Sequence, residues 1–376
     1  MSSRLLPRLT HLRQVHSELT TNSFHKIPHH IKPETSPLPL YGGRHLVTLL
    51  PGIGIGPEMT SHVKEIFATA QAPVDFEIIE GTGEELVRNA ITSVRRNRVA
   101  IKGNLKSVID EDGFIAPNVM IRTKLDLFVY VTHYKTYKNV YSKWPDLDLV
   151  IVRQNTEGEY ALLEHESVNG VVESLKIVTR ENTERLAKFA FEHARKHGRR
   201  KITVVHKSKQ LELSDGMFLQ TIKNVAHHYP DIQFEDMYID RCCQKLVRNP
   251  HHFDVLLMPN LYGNIASNIV CGLSGGSGLF SGMNYGEDIA IFESATRQTG
   301  ESFVGKNIAN PVAMLNAGVN MLRHLGKSEH ARLITDAICH TLTTSRVHTP
   351  DLGGVHSTTD VLSEIKRYIE DVKHLN

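Results

Sequence analysis

One feature of the sequence limits the possible folds more than any other. It is a largely apolar run followed by a glycine-rich turn and then by apolar residues at helical spacing. Residues 46–59 read LVTLLPGIGIGPEM. Residues 46–50 predict a strand, the alternating glycines predict a tight turn, and residues 57–70 carry apolar side chains at helical spacing. Pro57 suits the first helical position because its missing N–H needs no partner there. A strand joined this tightly to a helix is typical of an α/β protein.

The glycine turn does not fit the common phosphate-binding motifs. A dinucleotide fingerprint needs G-x-G-x-x-G, but here the third glycine comes one residue early and Pro57 takes its place. A Walker loop needs Gly-Lys-Ser/Thr at its end, which this stretch lacks. The turn is therefore interpreted as a structural strand-to-helix connection, with Ile53 at a position where a polar residue is expected.

Strand and helix patterns alternate along the rest of the chain. Further strands are predicted at 149–152, 202–205 and 255–258, and further helices at 184–197, 311–325 and 360–372. The exception is the segment 155–180, where GVVESLKIVT alternates with a period of two and predicts a β arm suited to partner contact. The predicted fold class is α/β.

Composition excludes several classes of function. The formal net charge of +2 in 376 residues gives no electrostatic footprint for nucleic acid, and no apolar run reaches the roughly 18 residues of a membrane span. The four cysteines lack zinc-ligand spacing, and a reducing compartment is the default for such a chain.

The amino-terminal segment differs from the rest of the chain. Residues 1–30 contain the basic residues Arg4, Arg8, Arg13 and Lys26 and a single acidic residue, Glu18, and leucines recur between the arginines at helical spacing. This composition is typical of a mitochondrial transit peptide. We expect residues 1–40 to be a transit peptide and linker, and the mature protein to lie in the mitochondrial matrix.

Four stretches together resemble the isocitrate and isopropylmalate dehydrogenase family of β-decarboxylating dehydrogenases: PGIGIGPE (51–58), RQNTEGEY (153–160), MPNLYGNIASN (258–268) and GKNIANP (305–311). Within the family, YGGRH, NLYGNI and ATRxTG look like the regulatory, gamma-type subunits of mitochondrial NAD-dependent isocitrate dehydrogenases. The resemblance implies the isocitrate/isopropylmalate dehydrogenase-type fold, which is not a Rossmann fold. It implies a large domain (41–130 and 256–376), a small domain (131–154 and 181–255) and a dimerising clasp arm (155–180).

The resemblance also implies a set of site residues. The family oxidises a 2-hydroxy acid with NAD and then decarboxylates it, which calls for arginine clamps, a divalent cation and a proton-moving Tyr–Lys pair. The matching positions for substrate or effector are Asn118, Arg122 and Arg153. The catalytic pair matches Tyr160 and Lys207, and one metal carboxylate matches Asp240.

Other family positions have changed. A serine of the substrate helix is Ala116, an asparagine and an arginine of the next strand are Tyr130 and Thr132, and two metal carboxylates are Asn264 and Asn268. In this family each active site is shared across a dimer. This chain therefore differs from the family at residues of its own site but matches it at Lys207 and Asp240. The resemblance implies that these two residues contribute to the active site of a neighbouring subunit. Mg²⁺ or Mn²⁺ and NAD are therefore expected in a partner's shared site.

The cofactor loop is altered as well. ESATRQTG at 293–300 stands where the family's His-Gly-x-Ala-Pro-Asp run holds adenosine, whereas Asn307 and Asn310 remain as weak cofactor-binding matches. A residual cleft of this kind is an expected site for a tricarboxylate such as citrate, or for ADP, as allosteric effector.

Three interpretations follow from these matches. The first is a regulatory subunit that is inactive alone and completes the site of a catalytic isocitrate dehydrogenase subunit in a hetero-oligomer of the tricarboxylic acid cycle. The second is an isocitrate dehydrogenase that is itself active. The third is an isopropylmalate dehydrogenase-like enzyme, against which the polar Asn118 argues.

Overall fold

The glycine turn joins a strand to a helix, as the sequence predicts. The computed structural model describes residues 38–110, 113–296 and 298–374, so the predicted transit peptide lies almost wholly outside the described residues. Strand β2 (Arg44–Leu50) is followed by helix α1 (Gly56–Ala70), whose second residue is Pro57. Helix α1 ends where Gln71 adopts a left-handed φ of 56° and its N–H donates to the last turn.

The remaining elements alternate as predicted only in part, because several strands follow one another directly and the last three α-helices have no strand between them. The strands are β1 (Leu40–Tyr41), β3 (Val74–Ile78), β4 (Val99–Lys102), β5 (Val108–Asp110), β6 (Gly113–Ile115), β7 (Val129–Lys135), β8 (Asp148–Gln154), β9 (Glu164–Val168), β10 (Val171–Ser174), β11 (Lys201–His206), β12 (Gln233–Tyr238), β13 (Val255–Met258), β14 (Ser281–Tyr285) and β15 (Ala290–Ser294). The helices are α2 (Gly83–Asn97), α3 (Pro117–Lys124), α4 (Arg180–Lys196), α5 (Ser214–Ala226), α6 (Ile239–Arg248), α7 (Asn260–Leu273), α8 (Val312–His324), α9 (Ser328–Thr343) and α10 (Thr358–His374).

An 11-stranded mixed sheet runs through the described part of the chain in the order β1-β2-β4-β15-β14-β7-β8-β13-β11-β12, with β3 beside β2. Towards its two ends most strands pair in parallel, β2 with β3 and β4, and β13 with β8 and β11, whereas the short edge strand β1 pairs antiparallel with β2. Between them, β14 pairs antiparallel with both β15 and β7, and β7 pairs antiparallel with β8. The two parallel parts are thus connected by antiparallel strands.

Helices bury the faces of this sheet. Helix α8 packs on β14 and β15 and is buried on most sides, which its sequence VAMLNAGVNML explains. Helices α1 and α9 pack against it, α10 packs against α1 and α9, and α4 and α5 pack against each other beside β11. The core is one large apolar cluster with a smaller one around α2 and β4.

The predicted β arm forms a separate antiparallel hairpin of β9 and β10. Every residue of these two strands is exposed, including Val168, Val171 and Val172. From Leu38 onward the chain forms one compact unit, and its division into large, small and clasp parts at the boundaries given above stays a prediction.

Candidate functional site

The two arginines predicted for the site are both buried. Arg122 lies in α3 and Arg153 near the end of β8, and the two residues are 4% and 3% exposed. The Nη1 atom of Arg122 donates to Asn155 Oδ1 at 2.9 Å, and its Nε donates to the carbonyl of Asn118 at 3.2 Å. These bonds fix the guanidinium, and the substrate- or effector-binding role of Arg122 stays a prediction.

Arg153, Asn264 and Tyr160 form a hydrogen-bonded chain. Arg153 Nη1 donates to Asn264 Oδ1 at 3.0 Å, and Asn264 Nδ2 donates to the Tyr160 hydroxyl at 3.0 Å. The Arg153 guanidinium also lies 5.5 Å from the centroid of the Tyr160 ring. Arginine has no acceptor, so the amide oxygen of Asn264 must face Arg153 and its nitrogen must face Tyr160. The structure thus brings three predicted site residues together.

The remaining nitrogens of Arg153 are held at the start of α7. Its Nε and Nη2 donate to Asn260 Oδ1 at 3.0 and 2.7 Å, and Asn260 Nδ2 donates to the carbonyl of Glu157 at 2.6 Å. Gly263 gives the arginine room, because a Cβ at this position would lie 2.6 Å from Arg153 Cγ. The first turn of α7 is therefore built around the arginine.

The amides of Asn264 and Asn268, at the two predicted metal positions, do not fit a divalent cation. Asn264 uses its oxygen on a guanidinium and its nitrogen on a phenol, while Asn268 Nδ2 donates to the backbone oxygen of Asn264 at 2.9 Å. Hard cations prefer several carboxylate or carbonyl oxygens free of competing cations. In the part of the chain that the structure describes, no group of three or more His, Cys, Asp or Glu side chains could hold a metal ion.

Lys207 and Asp240 form an ion pair at the edge of the sheet. Lys207 follows β11 and Asp240 is the second residue of α6, which follows β12, and these two strands pair in parallel with His206 opposite Tyr238. Parallel strands end at the same edge, so the two side chains meet, with Lys207 Nζ 2.6 Å from Asp240 Oδ1. The lysine lowers the pKa of the Asp240 carboxyl. The Asp240 side chain is 65% exposed, so a second chain could reach the pair.

The changed positions of β7 and α3 are accommodated in the fold. Tyr130 donates from its hydroxyl to the carbonyl of Ala295 at 3.0 Å, and its ring lies over Gly282, where a Cβ would come 1.9 Å from the hydroxyl. Thr132 is fully buried, and Ala116 gives α3 no side-chain cap. Tyr130 thus fills space that a smaller side chain would leave open.

Sequence reasoning missed a buried ion pair behind the arginines. Lys102 and Glu293 lie side by side because β4 and β15 are parallel neighbours with Ile101 opposite Phe292. Lys102 Nζ also donates to Asn118 Oδ1 at 2.9 Å, and Glu293 Oε1 accepts from Asn284 at 2.9 Å. The sequence did contain an indication of this pair, because Lys102 and Glu293 are charged residues at or near the ends of the apolar strands VAIK and AIFES.

A cavity of about 380 Å³ lies where the resemblance places the cofactor. Its walls include Ile53, Met59, Phe303 and Met314, together with Asn310. The Asn310 amide is engaged within the fold: its Nδ2 donates to Asp351 at 3.0 Å and its Oδ1 accepts from the N–H of Val312 at 3.0 Å.

Asn307 does not line this cavity. It adopts a left-handed φ of 56°, and its side chain bonds to Thr359 at the start of α10, with Nδ2 donating to the hydroxyl at 2.9 Å. Its amide oxygen accepts from the N–H of the same residue. These contacts hold the start of α10, and the cofactor-binding role predicted for Asn307 stays a prediction.

The glycine turn packs directly against the altered cofactor loop. Ile55 N–H donates to the Thr299 carbonyl at 3.0 Å, and a Cβ on Gly54, which has φ +61°, would lie 2.0 Å from that carbonyl oxygen. Gly52 has φ +75° and faces the backbone of Asn104 in the same way. The glycines are therefore required by close backbone approach, and Ile53 between them presents an apolar side chain to the cavity.

The sequence of residues 46–365 matches the profile of the isocitrate/isopropylmalate dehydrogenase family. The chain belongs to this family. It is 49% identical over 333 residues to the isocitrate dehydrogenase [NAD] subunit gamma, mitochondrial, of Macaca fascicularis, which covers 88% of this chain and 94% of that protein. It is 46% identical over 330 residues to the beta subunit of the same organism, covering 86% of each chain.

A solved structure supports the same assignment. The isocitrate dehydrogenase of Methylococcus capsulatus superposes with a TM-score of 0.81 at 35% identity, covering 86% of this chain and 99% of that one. The predicted family and the predicted fold are both confirmed. No helix in the described residues is long and apolar enough to cross a membrane.

Proposed function

We propose that the chain is a non-catalytic, regulatory subunit of a mitochondrial NAD-dependent isocitrate dehydrogenase. The complex converts isocitrate and NAD to 2-oxoglutarate, carbon dioxide and NADH in the matrix. The observation that carries the proposal is the series of hydrogen bonds Arg153–Asn264–Tyr160. The Asn264 amide, at a position where the family has a metal-binding carboxylate, accepts a bond from Arg153 and donates one to Tyr160. The gamma and beta relatives support assembly with other subunits, because both are named as subunits.

The chain contributes to catalysis through a partner. Lys207 and Asp240 are already paired, oriented and open to solvent at the sheet edge. In the proposed complex they complete a catalytic subunit's site, where Lys207 moves a proton and Asp240 supplies one carboxylate. The divalent cation and NAD belong to that shared site, while the chain's own arginine-lined cleft binds a tricarboxylate or ADP as effector.

The test is co-expression with a catalytic subunit and assay of the purified complex. We expect Asp240→Asn to raise the Mn²⁺ concentration for half-maximal activity at least tenfold, since one charge is lost next to a dication. Asp231→Asn is a matched control, because Asp231 is also an exposed aspartate paired at 2.6 Å, with Arg195. Unchanged metal dependence in the Asp240 variant would reject the lending role.

An enzyme active on its own is the second candidate. It is favoured by the presence of Arg122, Arg153, Tyr160 and the Lys207–Asp240 pair on one chain, so that a homodimer would contain most of the family's parts. Turnover of isocitrate by the purified chain with Mg²⁺ or Mn²⁺ would establish it. An isopropylmalate dehydrogenase-like activity is disfavoured, because Asn118 is held by Lys102 and presents no apolar wall.

A further inference from the structure

A second cavity, of about 720 Å³, lies on the other face of the sheet from Tyr130 and Thr132. His133 and Lys135 of β7 contribute to its wall, and alternate strand residues point to opposite faces. One side is formed by α8 and another by Thr335, Cys339 and Thr343, which share one face of α9. None of the residues predicted for the active site lines this cavity.

Positive charge dominates the lining. The cations are Lys135, Lys138 and Arg323, and the carboxylates are Asp146 and Asp148. Asp148 pairs with His133 and with Arg199, which hold the pKa of its carboxyl well below the usual range, and its Oδ2 lies 3.9 Å from the Nζ of Lys135. In the described residues no carboxylate lies within 4 Å of the charged nitrogens of Arg323 or Lys138.

Arg323 is held in place by neutral groups. Its Nη1 donates to Asn320 Oδ1 at 3.0 Å and its Nη2 donates to Thr335 Oγ1 at 3.0 Å. The Thr335 hydroxyl in turn donates to the Ala331 carbonyl at 2.7 Å, so it can only accept from the arginine. Burial of part of the guanidinium lowers the pKa of Arg323. A fixed, partly desolvated guanidinium without a carboxylate partner is suited to binding an anion, since it retains further N–H donors.

The rest of the cavity suits an organic ligand. Burial raises the pKa of Tyr137, so its phenol stays neutral, and its oxygen accepts from Asn316 Nδ2 at 3.1 Å. The floor is apolar and fully buried, formed by Leu147, Leu279 and Phe280. The volume of about 720 Å³ lies in the range of pockets for organic ligands and far exceeds the space that a bare inorganic ion fills.

We propose that this cavity binds a small organic anion with two or more negative charges, with Arg323 as its central ligand and Lys135 and Lys138 at its rim. Phosphate and carboxylate groups share the required chemistry, because both accept paired N–H donors from a guanidinium. This cavity has neither Arg122 nor Arg153 in its lining, so the variants below distinguish binding here from the tricarboxylate or ADP binding proposed above for those two arginines.

The experiment titrates the purified full chain by calorimetry with ADP, pyrophosphate and citrate at constant ionic strength. We expect at least one organic probe, ADP or citrate, to saturate with a Kd below about 1 mM. Tighter binding of ADP and pyrophosphate than of citrate would identify a phosphate site, and the reverse order would identify a carboxylate site. Absence of saturable binding by all three probes would overturn the proposal.

Variants locate the binding. We expect Arg323→Gln to weaken the bound probe at least tenfold and Lys138→Gln to weaken it about threefold. Arg332→Gln is the matched control, because Arg332 is an exposed arginine of α9 that does not line the cavity. Equal losses in the Arg323 and Arg332 variants would overturn the proposal as non-specific charge screening. Lys138 is exposed, so its variant serves even if the Arg323 variant fails to fold.

Cys339 provides a second, local readout. This exposed thiol lines the second cavity, whereas the cavity beside the glycine turn has no cysteine in its wall. We expect a saturating probe to slow alkylation of Cys339 at least fivefold in the wild-type chain and not in Arg323→Gln, as followed by peptide mass spectrometry. Unchanged alkylation with the probe bound would place the ligand elsewhere and reject the site.

Discussion

The buried pair of Lys102 and Glu293 gives a sharp test of how the candidate site is held together. The two side chains are 5% and 1% exposed, and each has a second polar partner, Asn118 for the lysine and Asn284 for the glutamate. Lys102→Met removes the positive charge at similar volume, and Glu293→Gln removes the negative charge while keeping an oxygen for Asn284. Each single variant leaves one charge buried without its ion partner.

The expected magnitudes follow from this burial. Removing one member of a buried ion pair costs about 3–5 kcal/mol, because the other charge stays desolvated. The double variant leaves no unpaired charge, so we expect it to cost only about 2–4 kcal/mol, well below the sum of the two single losses. Asp231→Asn serves as the control, since its ion pair with Arg195 is about half exposed and its loss should cost under about 1 kcal/mol.

The measurement is equilibrium unfolding in urea at pH 7, followed by far-ultraviolet circular dichroism and by the fluorescence of Trp144, the one tryptophan of the chain. Coincident transitions by the two probes justify a two-state treatment. Single losses below about 1.5 kcal/mol, or additivity of the two substitutions within about 0.5 kcal/mol, would refute the reasoning. The pair would then be too well hydrated to orient Asn118 and α3.

Two further predictions concern metal binding and pH. Asn264→Asp combined with Asn268→Asp should raise the affinity of the full chain for Mn²⁺ at least tenfold, as measured by calorimetry, because the two substitutions add two negative charges. The control Asn224→Asp, at an exposed position, should leave the Mn²⁺ affinity unchanged. Equal Mn²⁺ affinities of the double variant and the control would contradict this prediction. Burial, with a contribution from His197, lowers the pKa of His193 to about 3, so the native state favours the neutral ring. The contribution of the neutral His193 ring to the free energy of unfolding is fully present above the unfolded pKa of about 6.5. This contribution decreases as the pH falls toward 3, by about 1–2 kcal/mol at pH 5. His193→Gln should flatten this dependence in urea unfolding, and an unchanged slope would rule out His193 as its source.

Local patterns were sufficient to predict four strands, four helices and the β arm. The strand at 255–258 matches β13, and the helix predicted at 57–70 differs from α1 by one residue at its start. The alternation in 155–180 correctly indicated β structure. These features depend on side chains within one turn or one strand, which the sequence displays directly.

Neighbour relations in the sheet could not be predicted in the same way. Strand β14 lies between β15 and β7, an order that depends on tertiary packing. Lys102 and Glu293 became visible as partners only once β4 and β15 lay side by side. Asn307 and Asn310 share one short motif, yet only Asn310 lines the cavity, because Asn307 turns toward α10. Long-range pairing of this kind leaves no local pattern.

The orientation of the Asn264 amide has a consequence for the reversibility of the change at this position. The amide gives the hydrogen-bond chain a direction, with protons running from Arg153 to Asn264 and from Asn264 to Tyr160. A carboxylate at 264 has no proton to give, so the tyrosine would have to turn from acceptor into donor. A return to a metal-binding site is therefore coupled to the state of the phenol. A substitution at position 264 therefore changes the hydrogen bonding of two side chains, the residue at 264 itself and Tyr160.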